Sequence, residues 1–262
     1  MSQTVLIILA LLIPLGGTVL GSASVFFLKK QFNLKLQKIL MGFASGVMVA
    51  AAFWSLLVPA IELSTGAAYK KWLVPAAGFL LGVGFMLLLD YLIPHIHLHG
   101  EEEGVQGKKL SKTSKFFLAV TIHNIPEGLA VGVVLAGLIG GGELIDQHSL
   151  LVLAIGIAIQ NFPEGMIVSM PLKEEGMSKL KAFGLGALSG VVEPIASLIA
   201  LAITSLVIII LPYTLAFAAG LMMYVVVEEL IPEASQEGHS NLGVIGFTVG
   251  FILMMILEIT LG

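Results

Sequence analysis

The sequence predicts an all-α integral membrane protein with eight transmembrane helices and inverted-repeat symmetry. Of its 262 residues, 57% are hydrophobic and only 11% are charged, whereas a soluble domain carries about 25% charged residues. The mean hydropathy of +1.02 indicates that lipid is the solvent for most of the chain. A six-residue polar pattern also occurs twice, in neighbouring apolar segments, and this repetition predicts the symmetry.

Eight apolar segments are each long enough to cross the hydrocarbon, which needs roughly 20 residues of helix. Together they form a single membrane domain that covers residues 1–262. Pro212 marks the short break between the sixth and seventh segments, because proline interrupts a helix. We expect the segments at residues 4–28, 37–61, 72–93, 116–140, 149–172, 182–211, 213–232 and 241–261.

Basic residues are distributed unequally between the connections. All thirteen are lysines, and eleven of them lie between segments one and two, three and four, or five and six. Only Lys70 and Lys71 lie on the other side. The positive-inside rule therefore places the lysine-rich connections in the cytoplasm and both termini outside a plasma or inner membrane.

The connection at residues 94–115 is the most hydrophilic stretch of the chain. It holds His95, His97 and His99, followed by three glutamates and then by glycines and lysines. This composition predicts a flexible, partly disordered loop. Two interpretations remain open, a solvated linker or a segment whose imidazoles bind metal while its acidic residues raise the local cation concentration.

The repeated pattern is an imidazole or amide followed by Asn, an apolar residue, Pro, Glu and Gly. It occupies residues 123–128 in segment four and 160–165 in segment five. Side chains four residues apart share one face of a helix. His123 is therefore paired with Glu127, and Gln160 with Glu164, while an asparagine lies beside each pair (Asn124 and Asn161). Both motifs fall near mid-membrane, the first about 12 Å from the start of its segment.

Ionisable side chains at this depth indicate a function, because each costs about 2.5–3.5 kcal/mol on insertion scales. Each motif proline also frees a backbone carbonyl four residues earlier. Two carboxylates, an imidazole and three amides form an oxygen-rich ligand set that suits Zn²⁺, and also Mn²⁺, Fe²⁺, Cd²⁺ or Co²⁺. The pattern therefore predicts a divalent cation site between segments four and five.

Other polar residues of the segments each allow two interpretations. Glu193, which precedes Pro194 in segment six, is either a ligand or bonded to a neighbouring helix. Met48 in segment two is typical of packing. The remaining acids are either ordinary interface charges or part of the entrance and exit of a cation route, and they are Glu62, Asp90, Glu228 and Glu229. Glycine pairs at positions 42/46, 78/82 and 186/190 predict close helix contacts.

The two motifs resemble those of the ZIP (Zrt-, Irt-like protein) metal transporters, and Gln160 makes the second most similar to the GufA-type branch. The resemblance covers the whole chain and implies a two-metal transport site. One ion would be held by His123, Glu127, Gln160 and Glu164. The second would be held by Asn124, Asn161 and Glu193, with the two motif glutamates bridging, and Met48 aligns with a further ligand.

The resemblance also places Glu228 and Glu229 on the exit path. Some members carry His where Glu228 stands and Asp where Asn161 stands. We therefore expect the second metal site to be less negative in this chain, and either weaker or absent.

The function implied is the transport of zinc, or of a similar divalent metal ion, towards the cytoplasm, with zinc as substrate and without enzymatic activity. The expected partners are metal ions and the lipid bilayer, not nucleic acid, and a homodimer is left open. Two alternatives are a metal-gated channel or sensor and a membrane metallohydrolase. The hydrolase is disfavoured, because the chain has no His-Glu-x-x-His pair of the kind that binds catalytic zinc.

The orientation can be tested by labelling, because the chain has no native cysteine. We expect a cysteine at Ser111 to react with an impermeant maleimide only from the cytoplasmic side, and one at Ser149 only from outside. The lysine asymmetry is the reason. Labelling from the reversed sides would contradict the predicted orientation.

Overall fold

The protein is described by a computed structural model over residues 1–27, 33–93, 95–96, 102–103, 112–141, 145–236 and 240–262. In this part of the chain, eight helices are long and apolar enough to cross a membrane. They are α1 (Gln3–Phe27), α2 (Leu34–Leu63), α3 (Lys70–Leu92), α4 (Lys112–Ile139), α5 (Gln147–Glu174), α6 (Lys179–Ala202), α7 (Leu211–Ser235) and α8 (Leu242–Leu261). The prediction of an all-α, multi-pass membrane protein is confirmed.

The helix ends lie within four residues of the predicted boundaries, except at the end of the sixth segment. The sixth segment is shorter than predicted, because α6 ends at Ala202 and a separate short helix, Thr204–Ile209, follows it. Pro212 lies in the first turn of α7, where a missing backbone N–H has no helical partner to lose.

The connection between α3 and α4 contains a short ladder where the sequence predicted a flexible loop. Strand β1 (His95–Ile96) pairs antiparallel with strand β2 (Glu102–Glu103), with His95 opposite Glu103. His97 and His99 lie outside the described residues. Within the described residues of this connection, the backbone pairing thus brings His95 next to Glu103, one of the three glutamates.

The helices pack in a pattern that repeats itself. α1 packs along α5 and α6 along α4, while α2 packs along α8 and α3 along α7. The two groups meet where α2 contacts α5 and α7 contacts α4. Each of these contacts maps onto another when α1 exchanges with α6, α2 with α7, α3 with α8 and α4 with α5, as an inverted repeat requires.

Two π-helical segments follow the same symmetry. One, Ala52–Leu57, lies in α2 and the other, Val226–Leu230, lies in α7. A proline follows each segment within two residues, Pro59 in α2 and Pro232 in α7. Because a proline lacks the N–H of the regular helical ladder, a local change of helical period keeps the chain continuous there. Such segments are frequent at functional sites.

Glycines set the distance between the packed helices. All six glycines of the predicted pairs lie against another helix, because a Cβ at any of them would overlap an atom there. At Gly46 and Gly82 the overlap would be with backbone carbonyl oxygens, those of Phe247 in α8 and Phe217 in α7. The prediction of close contacts at these pairs is confirmed. Because lipid tails are as apolar as the helix side chains, the hydrophobic effect does not drive helices together within the bilayer. Close packing of this kind is therefore a main source of helix association.

The start of α5 is fixed by Asp146. Its carboxylate accepts hydrogen bonds from the backbone N–H of Ser149 at 2.8 Å and from the hydroxyl of the same residue at 2.9 Å. The backbone N–H is the main cause of the lowered pKa of Asp146. This is a helix N-cap, and it fixes the end of one of the two motif helices.

Substitution of Gly82 tests the close packing of α3 on α7, and a second glycine of α3 serves as the control. Gly82→Ala should lower the thermal unfolding midpoint of the detergent-solubilised protein, because the new Cβ meets the Phe217 carbonyl of α7 and such overpacking costs about 1–3 kcal/mol. Gly84 is the control, since a Cβ there meets nothing within 4 Å. We expect Gly84→Ala to leave the midpoint unchanged or raise it. Equal midpoints for both variants would contradict the proposed packing.

Candidate metal site

The two motif helices lie at the centre of the bundle. In the most apolar window of each helix, 78% of α4 and 72% of α5 is buried, against 22% for each of α3 and α8. Pro126 and Pro163 lie inside helices that continue on both sides of them. The motif side chains are therefore surrounded by protein rather than by lipid, as polar groups at this depth must be.

The side-chain amides of the three motif residues are all oriented with the nitrogen towards an acceptor. The Asn124 Nδ2 group donates to the Ser189 carbonyl of α6 at 3.1 Å. Gln160 Nε2 donates to Glu127 Oε1 at 2.7 Å, and Asn161 Nδ2 donates to Glu193 Oε2 at 2.8 Å. In each amide the nitrogen faces an acceptor, so the carbonyl oxygen is left on the other side.

Those carbonyl oxygens are buried and have no hydrogen-bond partner among the described residues. The same is true of one carboxylate oxygen on each motif glutamate. The five atoms are Asn124 Oδ1, Gln160 Oε1, Asn161 Oδ1, Glu127 Oε2 and Glu164 Oε1. A buried polar atom without a partner costs about 1–3 kcal/mol, so five of them on two helices require a physical explanation.

Such a set of oxygens can hold a divalent cation. All five atoms are oxygens that accept and cannot donate when the glutamates are ionised. The Glu127 and Glu164 carboxyl groups also lie beside each other, and two such groups repel unless a proton or a cation lies between them. Carboxylate and amide oxygens together suit divalent metal ions. In the described part of the chain, the His, Asp and Glu side chains alone form no group of three that could hold a metal.

His123 has a partner that the sequence did not predict. Its Nδ1 contacts Glu229 Oε2 of α7, and Glu228 and Asp90 lie close enough to interact with the imidazole electrostatically. The sequence paired His123 with Glu127 on one helix face, whereas the structure joins α4 to α7 through this residue. The contact lies where the two groups of helices meet.

A small cavity lies beside these residues. Its volume is about 30 Å³, and its polar lining consists of His123, Asn124, Glu164 and Glu229. It extends along α4 and α5 from the motifs towards the lysine-rich connections, past Val120 and Val168. A space of this size holds a water molecule, or an ion of similar size.

The other predicted site residues are divided between the centre and the ends of the bundle. Glu193 is buried and bonded to Asn161, so it belongs to the centre. Met48 is fully buried within the large apolar core cluster, as packing predicts. Asp90 is buried and accepts from the Tyr224 hydroxyl at 2.9 Å. Glu62 is exposed near the end of α2.

Reasoning from the sequence missed one contact of the site. Thr18 of α1 donates through Oγ1 to Glu193 Oε1 at 3.0 Å. A threonine or serine in an apolar segment carries no pattern that marks it. The only signal for Thr18 is its position between Gly17 and Gly21, which are typical of a helix contact.

Eight membrane helices with buried, unpartnered oxygens at the centre of the bundle define a multi-pass integral membrane protein with a candidate cation site. The family described as ZIP Zinc transporter matches residues 113–258. "Zinc transporter ZIP11" of Xenopus tropicalis is 38% identical and covers 97% of each chain. "Zinc transporter GufA" of Myxococcus xanthus is 37% identical, with 95% of this chain and 96% of that protein covered. The chain belongs to the ZIP family, and its resemblance to the GufA-type branch is confirmed.

Gln160 allows the role of the amide oxygens to be tested. Gln160→Met removes both the carbonyl oxygen and the N–H donor and keeps a similar length. We expect it to raise the zinc dissociation constant about tenfold, or about 1.4 kcal/mol, in titration calorimetry of the purified protein. Gln160→Glu keeps an oxygen ligand, removes the N–H donor and adds a negative charge, so it should bind zinc at least as tightly as the unmodified protein. Equal weakening in both variants would contradict a ligand role for the Gln160 oxygen.

Proposed function

We propose that the protein transports zinc, or a similar divalent metal ion, through the centre of the bundle towards the cytoplasm. The observation that carries this proposal is the set of five buried, unpartnered oxygens on α4 and α5. Membership of the ZIP family supports it, and so do the names of the relatives, which are zinc transporters. Manganese, iron, cadmium and cobalt ions suit the same ligand set.

The first ion is held by the two motifs. Glu127 and Glu164 provide the negative charge, and Gln160 adds an amide oxygen. His123 adds a nitrogen ligand after its imidazole leaves Glu229, its present partner. Binding and release of the metal thereby become linked to the contact between α4 and α7.

A second ion is held more weakly beside the first. Its ligands are the carbonyl oxygens of Asn124 and Asn161, with Glu127 and Glu164 shared between the two positions. Asn161 is neutral, so this position is less negative than it would be with an aspartate. Met48 is the further ligand that the resemblance to the family implies.

Charge and space support this direction. The lysine asymmetry favours a cytoplasmic location for the connections near residues 28–33, 94–111 and 175–178. The cavity beside Glu164 extends from the motifs towards these connections and is also lined by Glu229, and we propose that Glu228 and Asp90 continue the route from it. Metal released along this route reaches the connection that holds His95, His97 and His99, which we propose captures the ion and tunes its release. The membrane is the plasma or inner membrane, in which the protein acts alone or as a homodimer.

Uptake into proteoliposomes tests the transport site. Glu127→Gln and Glu164→Gln keep the size of each side chain and remove its charge, so zinc uptake should fall to the level of protein-free liposomes. Glu174→Gln is the control, because Glu174 is exposed at the far end of the same helix α5 and its change should leave uptake intact. Rates that saturate with zinc concentration support a carrier. Near-normal uptake by either motif variant would contradict the proposed site, and rates that do not saturate would favour a channel.

A further inference from the structure

Glu193 is held at both of its carboxylate oxygens. Thr18 Oγ1 of α1 donates to Oε1 at 3.0 Å, and Asn161 Nδ2 of α5 donates to Oε2 at 2.8 Å. Thr18, Asn161 and Glu193 are each no more than 1% exposed. Three helices therefore meet at one carboxylate, which has an ordered donor at each oxygen.

The Asn161 amide has only one orientation that satisfies these contacts. Besides Glu193, its Nδ2 group donates to the Pro14 carbonyl of α1 at 3.3 Å. An ionised carboxylate and a backbone carbonyl are both acceptors only, so the amide cannot turn its oxygen towards them. Asn161 Oδ1 consequently lies on the opposite side, where it is one of the five unpartnered oxygens.

Backbone packing places Glu193 of α6 against α4 and Thr18 of α1 against α5 at equivalent positions of the two motifs. A Cβ at Gly128, the last residue of the first motif, would overlap the Glu193 carbonyl oxygen. A Cβ at Gly165, the last residue of the second motif, would overlap the Thr18 carbonyl oxygen. The motif glycines thus bring α6 onto α4 and α1 onto α5 at corresponding depths, and the Thr18–Glu193 hydrogen bond joins the two contacts.

Thr18 itself has little freedom to move. A Cβ added to Gly190 of α6 would lie only 2.8 Å from the Thr18 Cβ. The Thr18 side chain is therefore confined between α5 and α6. A β-branched side chain has restricted χ1 rotamers, and this confinement keeps Oγ1 next to Glu193. The hydroxyl is the only donor that any described residue of α1 directs at Glu193.

We propose that Thr18 is a positioning residue of the metal site, and that it acts through Glu193 and Asn161. Thr18 holds Glu193, which in turn holds the Asn161 amide so that Oδ1 faces the cation. Outer groups of this kind orient metal ligands, and their removal typically lowers metal affinity about 10- to 100-fold. The proposal rests on the proposed function, because it assumes that the cation binds between α4 and α5.

Substitution of Thr18 tests the chain of contacts. Thr18→Val keeps the shape and removes the hydroxyl, so we expect the zinc dissociation constant and the KM for uptake to rise about tenfold, with little change in the maximal rate. Thr18→Ser keeps the hydroxyl and should restore both values. Thr121→Val is the matched control, because the Thr121 hydroxyl donates only to the Phe117 carbonyl of its own helix, at 2.7 Å.

The calorimetric measurements use the full-length purified protein with zinc as the probe, and thermal midpoints are measured without metal.

Several outcomes would overturn the inference about Thr18. Unchanged zinc affinity in Thr18→Val would do so, and so would a serine variant as weak as the valine variant. A lower thermal midpoint in metal-free Thr18→Val with normal affinity would assign the residue to packing alone. If these results occurred while Glu127→Gln and Glu164→Gln still abolished uptake, the transport site would stand and only the positioning role would fall.

Discussion

Buried oxygens without donors are the constraint on which the centre of this protein depends. Each costs about 1–3 kcal/mol when no partner is present, and five lie on two adjacent helices. The surroundings maintain this arrangement, because each motif amide directs its nitrogen at an acceptor and so cannot turn it towards the other oxygens. These oxygens are therefore oriented as ligands for the cation site that we propose at the centre of the bundle.

The close approach of helix backbones makes that arrangement possible. Gly128 and Gly165 each allow a backbone from another helix to lie directly against the motif. Replacing either glycine by a larger residue would move α6 or α1 outwards and lengthen the hydrogen bonds at Glu193. Packing and chemistry are thus coupled at the ends of both motifs, which explains why glycine follows the glutamate in each.

The contact between His123 and Glu229 connects the site to the second group of helices. Glu229 lies in the π-helical segment of α7, and a changed helical period turns its side chain relative to a regular helix. If, as we propose, His123 binds metal, it must give up this partner, so occupation of the site and the α4–α7 contact depend on each other. A transporter needs such a link, because an ion can only shift an equilibrium between conformations that bind it differently.

Composition and spacing determined much of this protein before any tertiary structure was considered. Apolar segments of about 20 residues predict the helices because the hydrocarbon thickness fixes their length, and the repeated motif predicts the central cation site because polar residues are costly in lipid. The partners of these residues were decided by tertiary structure alone. His123 meets Glu229, and Thr18 meets Glu193 across 175 positions of sequence. Such pairs have no periodicity within one helix, since they result from which backbones the glycines bring together.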